Sequence, residues 1–340
     1  MKRNIDITPK IPAWKQALID SPALSSKPDN KGYLSNYLDG IYPDGRNAIM
    51  PDEKFYKMFD AGNGSELKPT IEEAGNKRPP KACAVHSSSM LAYNFFHWIS
   101  PKHPFLFSDG KTYDKVYFEV KIPVLKIRPA FPANMDVVLV SDDCHSLLCF
   151  ESKLSECTEH CAAKFAEAYT KRGSYYNNYF VDDFINYIKT FENIDHSYNE
   201  GIAQMVKHLI AITNLHQSNY AMADMLALND FIEPEVAKNL QSGILNIKLS
   251  NILYLLKEED RLAPTIKTLD YIKLLAHFRS TANFSSDIWQ YFVMPNYAYN
   301  YNDMLAIMRS QMPNGLAEYI ESRYPSLCNL SNDSYPIHRL

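Results

Sequence analysis

No uninterrupted apolar run in this chain approaches the roughly 20 residues that a membrane-spanning helix needs. Basic charge is not in excess either, with 35 Lys and Arg against 39 Asp and Glu and a formal net charge of −4. That argues against a protein that coats nucleic acid by bulk charge, while leaving room for a local basic groove. The opening residues, Met1-Lys2-Arg3-Asn4-Ile5-Asp6-Ile7-Thr8-Pro9, lack the apolar core of a secretory leader. Cysteine is sparse: Cys83, Cys144, Cys149, Cys157, Cys161 and Cys328 are spread over 340 residues. They read as reduced thiols rather than as a disulfide framework. The expectation is a cytoplasmic protein without a membrane partner. Internal repeats and low-complexity tracts are also missing.

What is present is globular composition: 46% hydrophobic and 22% charged residues, with 23 Tyr and 17 Phe. The length is enough for one large or two ordinary domains. Residues 1–80 are rich in turn signals such as Ser26-Lys27-Pro28-Asp29-Asn30-Lys31-Gly32, Pro43-Asp44-Gly45 and Ala61-Gly62-Asn63-Gly64. They read as an N-terminal extension wrapped on a main domain at 81–340, with a short helix at 51–59. The boundary is placed at Gly75-Asn76-Lys77-Arg78-Pro79-Pro80-Lys81.

Ser87, Ser88 and Ser89 look like the cap of a helix carrying Met90, Leu91, Phe95 and Trp98 on its apolar side. Asn94 is a poor helix former and reads as a buried hydrogen-bonding residue. Residues 117–124 are strand-like, 155–170 and 199–213 helical, and 234–241 a short helix. Further expectations are a strand in 249–257, a helix at 264–279, a strand at 288–293 ended by Pro295, and helices at 302–311 and 316–324. The clearest amphipathic stripe is Ile202, Met205, Val206, Leu209 and Ile210. Gln204, Lys207 and His208 lie on a neighbouring face, which by default is solvated. These elements predict an α/β fold: a small mixed β-sheet flanked by helices, with extra C-terminal helices.

Residues 129–153 carry the chemistry. Met135–Val140 is a short apolar run with β-branched residues, 141–146 is turn chemistry, and Leu147–Phe150 is a second apolar run, so the stretch predicts a β-hairpin. Side chains alternate along a strand. Leu147, Cys149, Glu151 and Lys153 therefore share one face, and Leu148, Phe150 and Ser152 the other. The hairpin can gather Asp136, Glu151 and Lys153 at one end of a sheet. Two carboxylates and an ammonium there are costly to bury without a metal or substrate to pair with. Carboxylates converging on Mg²⁺ set positive charge against a scissile phosphate and lower the pKa of a bound water. A lysine beside them can orient that water and stabilise transition-state charge. The bland reading is a surface ion pair at a strand end, worth little.

Asp136 followed by Glu151-Ser152-Lys153 on the adjacent strand resembles the signature of the PD-(D/E)XK nuclease superfamily. The preceding Ser-rich helix with Asn94-Phe95-Phe96 and the later helix with Gln204 extend the similarity to a family of restriction-endonuclease-like bacterial proteins. It covers roughly residues 82–260. The resemblance implies a restriction-endonuclease-like core and a metal-dependent endonuclease acting on DNA. It implies that Asp136 and Glu151 bind Mg²⁺, or Mn²⁺ in its place, with the carbonyl of Ser152 assisting. Lys153 would act on the nucleophilic water and Gln204 would line the site. The proline departs from the pattern: it is Pro132, four residues before Asp136.

Position on the preceding strand makes Glu119 a further candidate ligand, with pairing to Lys121 or another surface cation as its ordinary alternative. Cys157, His160 and Cys161, with Cys144, His145 and Cys149 nearby, match no usual zinc spacing. The Tyr- and Asn-rich residues 173–187 and Tyr297-Ala298-Tyr299-Asn300-Tyr301 read as loops folding their rings back, with base stacking as the alternative. Lys171-Arg172 is a candidate phosphate contact. A homodimer would suit cleavage of both DNA strands. The reading from a different class is a catalytically silent DNA-binding or protein-interaction module on the same fold.

Overall fold

The computed structural model describes residues 11–45, 53–60, 66–71, 75–126, 132–154, 165–176, 181–192, 202–217, 225, 227–241, 246–253 and 293–325. Its helices are α1 (Ala13–Ile19), α2 (Glu53–Asp60), α3 (Ser88–Phe96), α4 (Val181–Glu192), α5 (Ile202–Gln217), α6 (Pro234–Gln241), α7 (Tyr301–Met308) and α8 (Leu316–Arg323). Its strands are β1 (Thr70–Ile71), β2 (Lys77–Arg78), β3 (Phe105–Leu106), β4 (Thr112–Ile122), β5 (Ala133–Ser141), β6 (Ser146–Lys153), β7 (Asn246–Leu253) and β8 (Val293–Asn300).

The long strands arise where β-branched and aromatic residues concentrate. They build one mixed sheet in the order β3-β4-β5-β6-β7-β8, separate from the two-stranded β1-β2 ribbon. The pairs β3–β4, β4–β5 and β5–β6 are antiparallel, and β6–β7 and β7–β8 are parallel. The α/β expectation is therefore met, with helix α3, antiparallel strands, helix α5 and a parallel strand in succession.

Central β6 shows how the layers assemble. On one face Phe150 stacks on Phe96 of α3, with centroids 5.3 Å apart. Ser152 Oγ, on that same face, donates to the carbonyl of Ser88 at 3.0 Å. On the other face Lys153 reaches Gln204 of α5. Alternation along β6 thus sends its apolar residues to one helix and its charges towards another, as the sequence predicts. Asn214, near the end of α5, fastens that helix by donating to the carbonyls of Pro123 and Val124 just past β4.

The segment before residue 80 packs against α3. Trp14 and Leu18 of α1 are buried, Phe59 stacks on Phe118, and both Phe55 and Phe59 lie against Tyr93. Asn94 is fully buried and ties three segments together. Its Oδ1 accepts from Tyr42 N at 3.0 Å, and its Nδ2 donates to Gly40 O at 3.0 Å and Tyr324 Oη at 3.1 Å. That is the hydrogen-bonding role its helix position implied. Ser87 caps α3, accepting from Met90 N.

Several expectations need correction. Strand β4 begins at Thr112, five residues before the expected start. Part of the Tyr- and Asn-rich stretch is helix rather than loop, because Val181, Phe184, Ile185 and Ile188 fall at helical spacing and are buried. Pro295 does not end a strand. It lies inside β8, the edge of the sheet among the described residues, where the pairing register with β7 shifts between Leu249 and Asn251, and a missing N–H is tolerated at such a bulge. Residues 297–300 are the end of β8 rather than loop and Tyr301 opens α7, while the Tyr301 ring does fold back, fully buried, and meets Ser152 Oγ at 2.5 Å. Lys171 and Arg172 pair with Glu167 and Asp182 at the surface. Of the helix expected at 155–170, residues 155–164 lie outside the described residues, and 167–170 form a 3₁₀ turn. The helix expected at 264–279 also lies outside them.

Candidate active site

Strand register brings the acidic residues into line. Phe118 pairs with Val137 and Val120 with Met135, so Glu119 stands opposite Asp136. Val137 pairs with Phe150, and the next step of that antiparallel register sets Asp136 beside Glu151. Glu151 in turn pairs with Asn251 of β7. Glu119, Asp136 and Glu151 thus form an acid row across three adjacent strands.

The row is packed in. Glu119 is 6% exposed and Glu151 1%, whereas Asp136 keeps partial exposure. Close packing, reinforced by the charges of Glu151 and Glu119, holds the Asp136 carboxyl well above the usual range. For Glu119, burial acts first and the charges of Glu66 and Glu151 add to it, pushing its pKa up to about 8. Lys81 and Lys153 oppose that rise without cancelling it. Pairing of Glu119 with Lys121 is therefore corrected: Glu119 sits among other acids, and its backbone adopts a left-handed φ of 51°. A non-glycine residue at positive φ inside a strand is uncommon and marks local strain.

Lys153 supplies the counter-charge. Its ammonium donates to Glu151 Oε1 and, at 2.8 Å, to Gln204 Oε1 of α5. The side chains of Lys153 and Glu151 are 13% and 2% exposed, so this is no solvated surface pair. The backbone N–H of Ser152 donates to Asp136 Oδ2 at 2.7 Å. Glu151 Oε2 is buried and accepts no hydrogen bond among the described residues. The structure therefore joins Asp136, Glu151, Ser152, Lys153, Gln204 and Glu119, the six residues that sequence reasoning singled out.

His208 was placed on a solvated face, and here the structure disagrees. It is 2% exposed, and its Nδ1 lies 3.6 Å from Glu151 Oε2. Burial lowers its pKa, with Glu151 pulling the other way. The signal was available in the sequence, because residues four apart on a helix share a face and Gln204 precedes His208 by four. Lys207 points elsewhere, over the ring of Tyr169. Cys83, Cys144 and Cys149 are buried free thiols.

Among the described residues no three His, Cys, Asp or Glu side chains form a ready-made metal cage. Mg²⁺ does not require one, since it is usually bound through one or two carboxylates with water completing its shell. The row fits such an ion: it has more acids than cations, and Glu151 Oε2 accepts no hydrogen bond among the described residues. A cavity of about 580 Å³ lined by Lys54, Tyr93, Tyr117 and Glu233, among others, shares no residue with the row. Among the described residues no helix is long and apolar enough to cross a membrane. Comparison with protein-family models, curated proteins and solved structures finds no match to this chain.

Proposed function

We propose that this protein is a divalent-metal-dependent nuclease of restriction-endonuclease-like architecture that hydrolyses DNA phosphodiester bonds. The observation that carries the reading is the acid row with one of its carboxylates bonded to a lysine of the same strand. The succession of α3, three long antiparallel strands, α5 and parallel β7 supports it.

Asp136 and Glu151 would hold Mg²⁺ or Mn²⁺, with the Ser152 carbonyl as a further oxygen donor and Glu119 as a reserve acid. The ion would supply positive charge against the phosphate and acidify a bound water. Lys153 has the separate task of orienting the attacking water and countering charge on the phosphoryl oxygens. Gln204 keeps the ammonium in place from a different element, so its position does not depend on β6 alone. His208 packs behind Glu151 and limits where that carboxylate can turn.

Supercoiled plasmid and linear DNA incubated with purified protein and Mg²⁺ should be cut. Substitution Asp136→Ala or Lys153→Ala should abolish cleavage. Activity that survives both substitutions overturns the assignment. Retained DNA binding without cleavage, and without uptake of divalent metal in a calorimetric titration, favours the silent module instead. Sedimentation of the DNA-bound protein tests the expected homodimer.

A further inference from the structure

Glu119 joins the acid row through a backbone conformation that its own residue type does not favour. Its φ is 51°. In any residue but glycine, a left-handed backbone sets Cβ too close to the following carbonyl oxygen. Such a conformation persists only where its surroundings over-determine it. Those surroundings are unusual for a strand. β3 pairs only with Thr112 and Tyr113, so beyond them that edge of β4 has no neighbouring strand among the described residues.

Side chains hold β4 on either side of Glu119 instead. Before it, the N–H of Phe118 donates to Met58 Sδ of α2 at 3.4 Å. After it, Asn229 Oδ1 accepts from the N–H of Lys121 at 2.9 Å, and Asn229 Nδ2 donates to the carbonyl of Lys121 at 2.7 Å. One amide thus meets both backbone groups of a single β4 residue, as a residue of a paired strand would. Asn229 is itself held firmly. It is 1% exposed, its Nδ2 also donates to the carbonyl of Met225 at 2.7 Å, and its backbone N–H donates to the same carbonyl at 3.0 Å. Rotating the amide away would break three bonds at a buried position, where each unmade bond is costly.

We infer that Asn229, aided by Met58, is a positioning residue: it clamps β4 beside Glu119, holds that residue left-handed and so keeps its carboxylate in the acid row. A change in φ turns the Cα–Cβ bond. Return to extended backbone would therefore carry the carboxylate out of its place opposite Asp136. The crowding of Glu119 by the charges of Glu66 and Glu151 shows what the clamp works against, since like charges push the carboxylate outwards. The clamp stands on backbone geometry alone, and its consequence for metal affinity rests on the nuclease reading.

Two comparisons on the full-length protein test this. Glu119→Gly and Glu119→Ala both remove the carboxylate and differ in whether residue 119 can sit at positive φ without strain. Glu119→Gly should melt about 2 °C or more above Glu119→Ala. With Asn229→Ala added, residue 119 is released to extended backbone and that order should vanish or reverse, because glycine weakens an ordinary strand. If Asn229→Ala does not fold, Asn229→Asp replaces it, keeping the acceptor for Lys121 N–H and dropping the donors. The second comparison titrates Mn²⁺. Asn229→Ala and Glu119→Gln should each weaken its binding about tenfold, and the double variant should be no weaker than either. A glycine advantage that is missing without the Asn229 substitution, or equal with and without it, overturns the inference. So does a loss of Mn²⁺ affinity in Asn229→Ala beyond that in Glu119→Gln. If Mn²⁺ does not bind, or binds regardless of both variants, the metal role of Glu119 fails and the melting comparison still decides the clamp.

Discussion

The backbone N–H of Ser152 donates to a side-chain oxygen of Asp136, 2.7 Å away. The strand pairing between β5 and β6 ends one pair earlier, at Val137 and Phe150. Asp136 therefore closes the open end of the hairpin with its carboxylate where a backbone carbonyl would otherwise serve. That bond fixes one oxygen and leaves the carboxylate facing Glu151 across the row. A single aspartate thus has a structural bond and a site charge, and the two can be separated by substitution.

Asp136→Asn should retain an oxygen for Ser152 and lose the charge. It should remain folded and, without metal at pH 8, melt higher than wild type because like charges in the row are reduced. DNA cleavage should fall by at least about a hundredfold. Asp136→Ala should lose cleavage and also about 1–2 kcal/mol of stability from the missing bond. Thermal melts beside a plasmid-nicking assay check both.

Lys153 is the partly buried cation bonded to Glu151. Lys153→Met should destabilise the protein by about 3–5 kcal/mol at neutral pH, since it strands a buried carboxylate. Adding Glu151→Gln should recover part of that loss, because the pair then disappears together. Urea unfolding of both single variants and the double variant measures the coupling. Strict additivity would show that the two groups do not interact.

The hairpin was legible because alternation is a local rule: residues 147 to 153 reveal their two faces without any partner strand. Gln204 was legible only through resemblance, since nothing in its helix says that Lys153 waits opposite. The acid row was half visible. Glu119 was a candidate by position, but its alignment with Asp136 depends on the β4–β5 register, which the sequence does not display. Its left-handed backbone was hidden for the same reason, being imposed by tertiary packing. The burial of Arg323 at the end of α8 gave no sign at all, because an arginine in the last turn of an amphipathic helix is ordinary. Pro295 misled, because proline argues against a central strand but is permitted at a bulged edge.

Asn94 is the chief polar link between α3, the segment at 40–42 and Tyr324. Asn94→Ala would leave the Tyr42 N–H, the Gly40 carbonyl and the Tyr324 hydroxyl short of their partner. A loss of about 2–4 kcal/mol is expected. Cleavage per folded molecule should be unchanged, because the hydrogen-bond partners of Asn94 are Tyr42, Gly40 and Tyr324 and not the acid row. Denaturant unfolding with activity measured well below the transition checks this.

On the acid side, stability should depend on buried imidazoles. His97 packs against Tyr93 and donates Nδ1–H to the Tyr93 carbonyl at 3.0 Å, and burial lowers its pKa to about 4. His86 is lowered to about 4 as well. A depressed folded pKa gives stability that is present above the unfolded value near 6.5 and lost as pH falls through the folded value. Melting temperature should therefore decline between pH 6.5 and 4, and His97→Gln should make that decline shallower.

On the alkaline side the acid row sets the opposite slope. Glu119 has a folded pKa of about 8 against an ordinary 4.5, and Asp136 is shifted the same way. A raised folded pKa gives stability that is complete below the unfolded value and lost as pH climbs through the folded one. Between about pH 5 and 6.5 this slope opposes that of the histidines, so metal-free protein should lose stability plainly from about pH 6.5 to 8, and Glu119→Gln should reduce the loss. Mg²⁺ binds the ionised row, so it competes with protons. Its stabilising effect should be small at pH 5.5 and large at pH 8, where the carboxylates are charged at least cost. Melts at both pH values, with and without Mg²⁺ raised until its effect saturates at pH 8, make the comparison. An equal Mg²⁺ effect in wild type and in Asp136→Asn would place the ion somewhere other than this row.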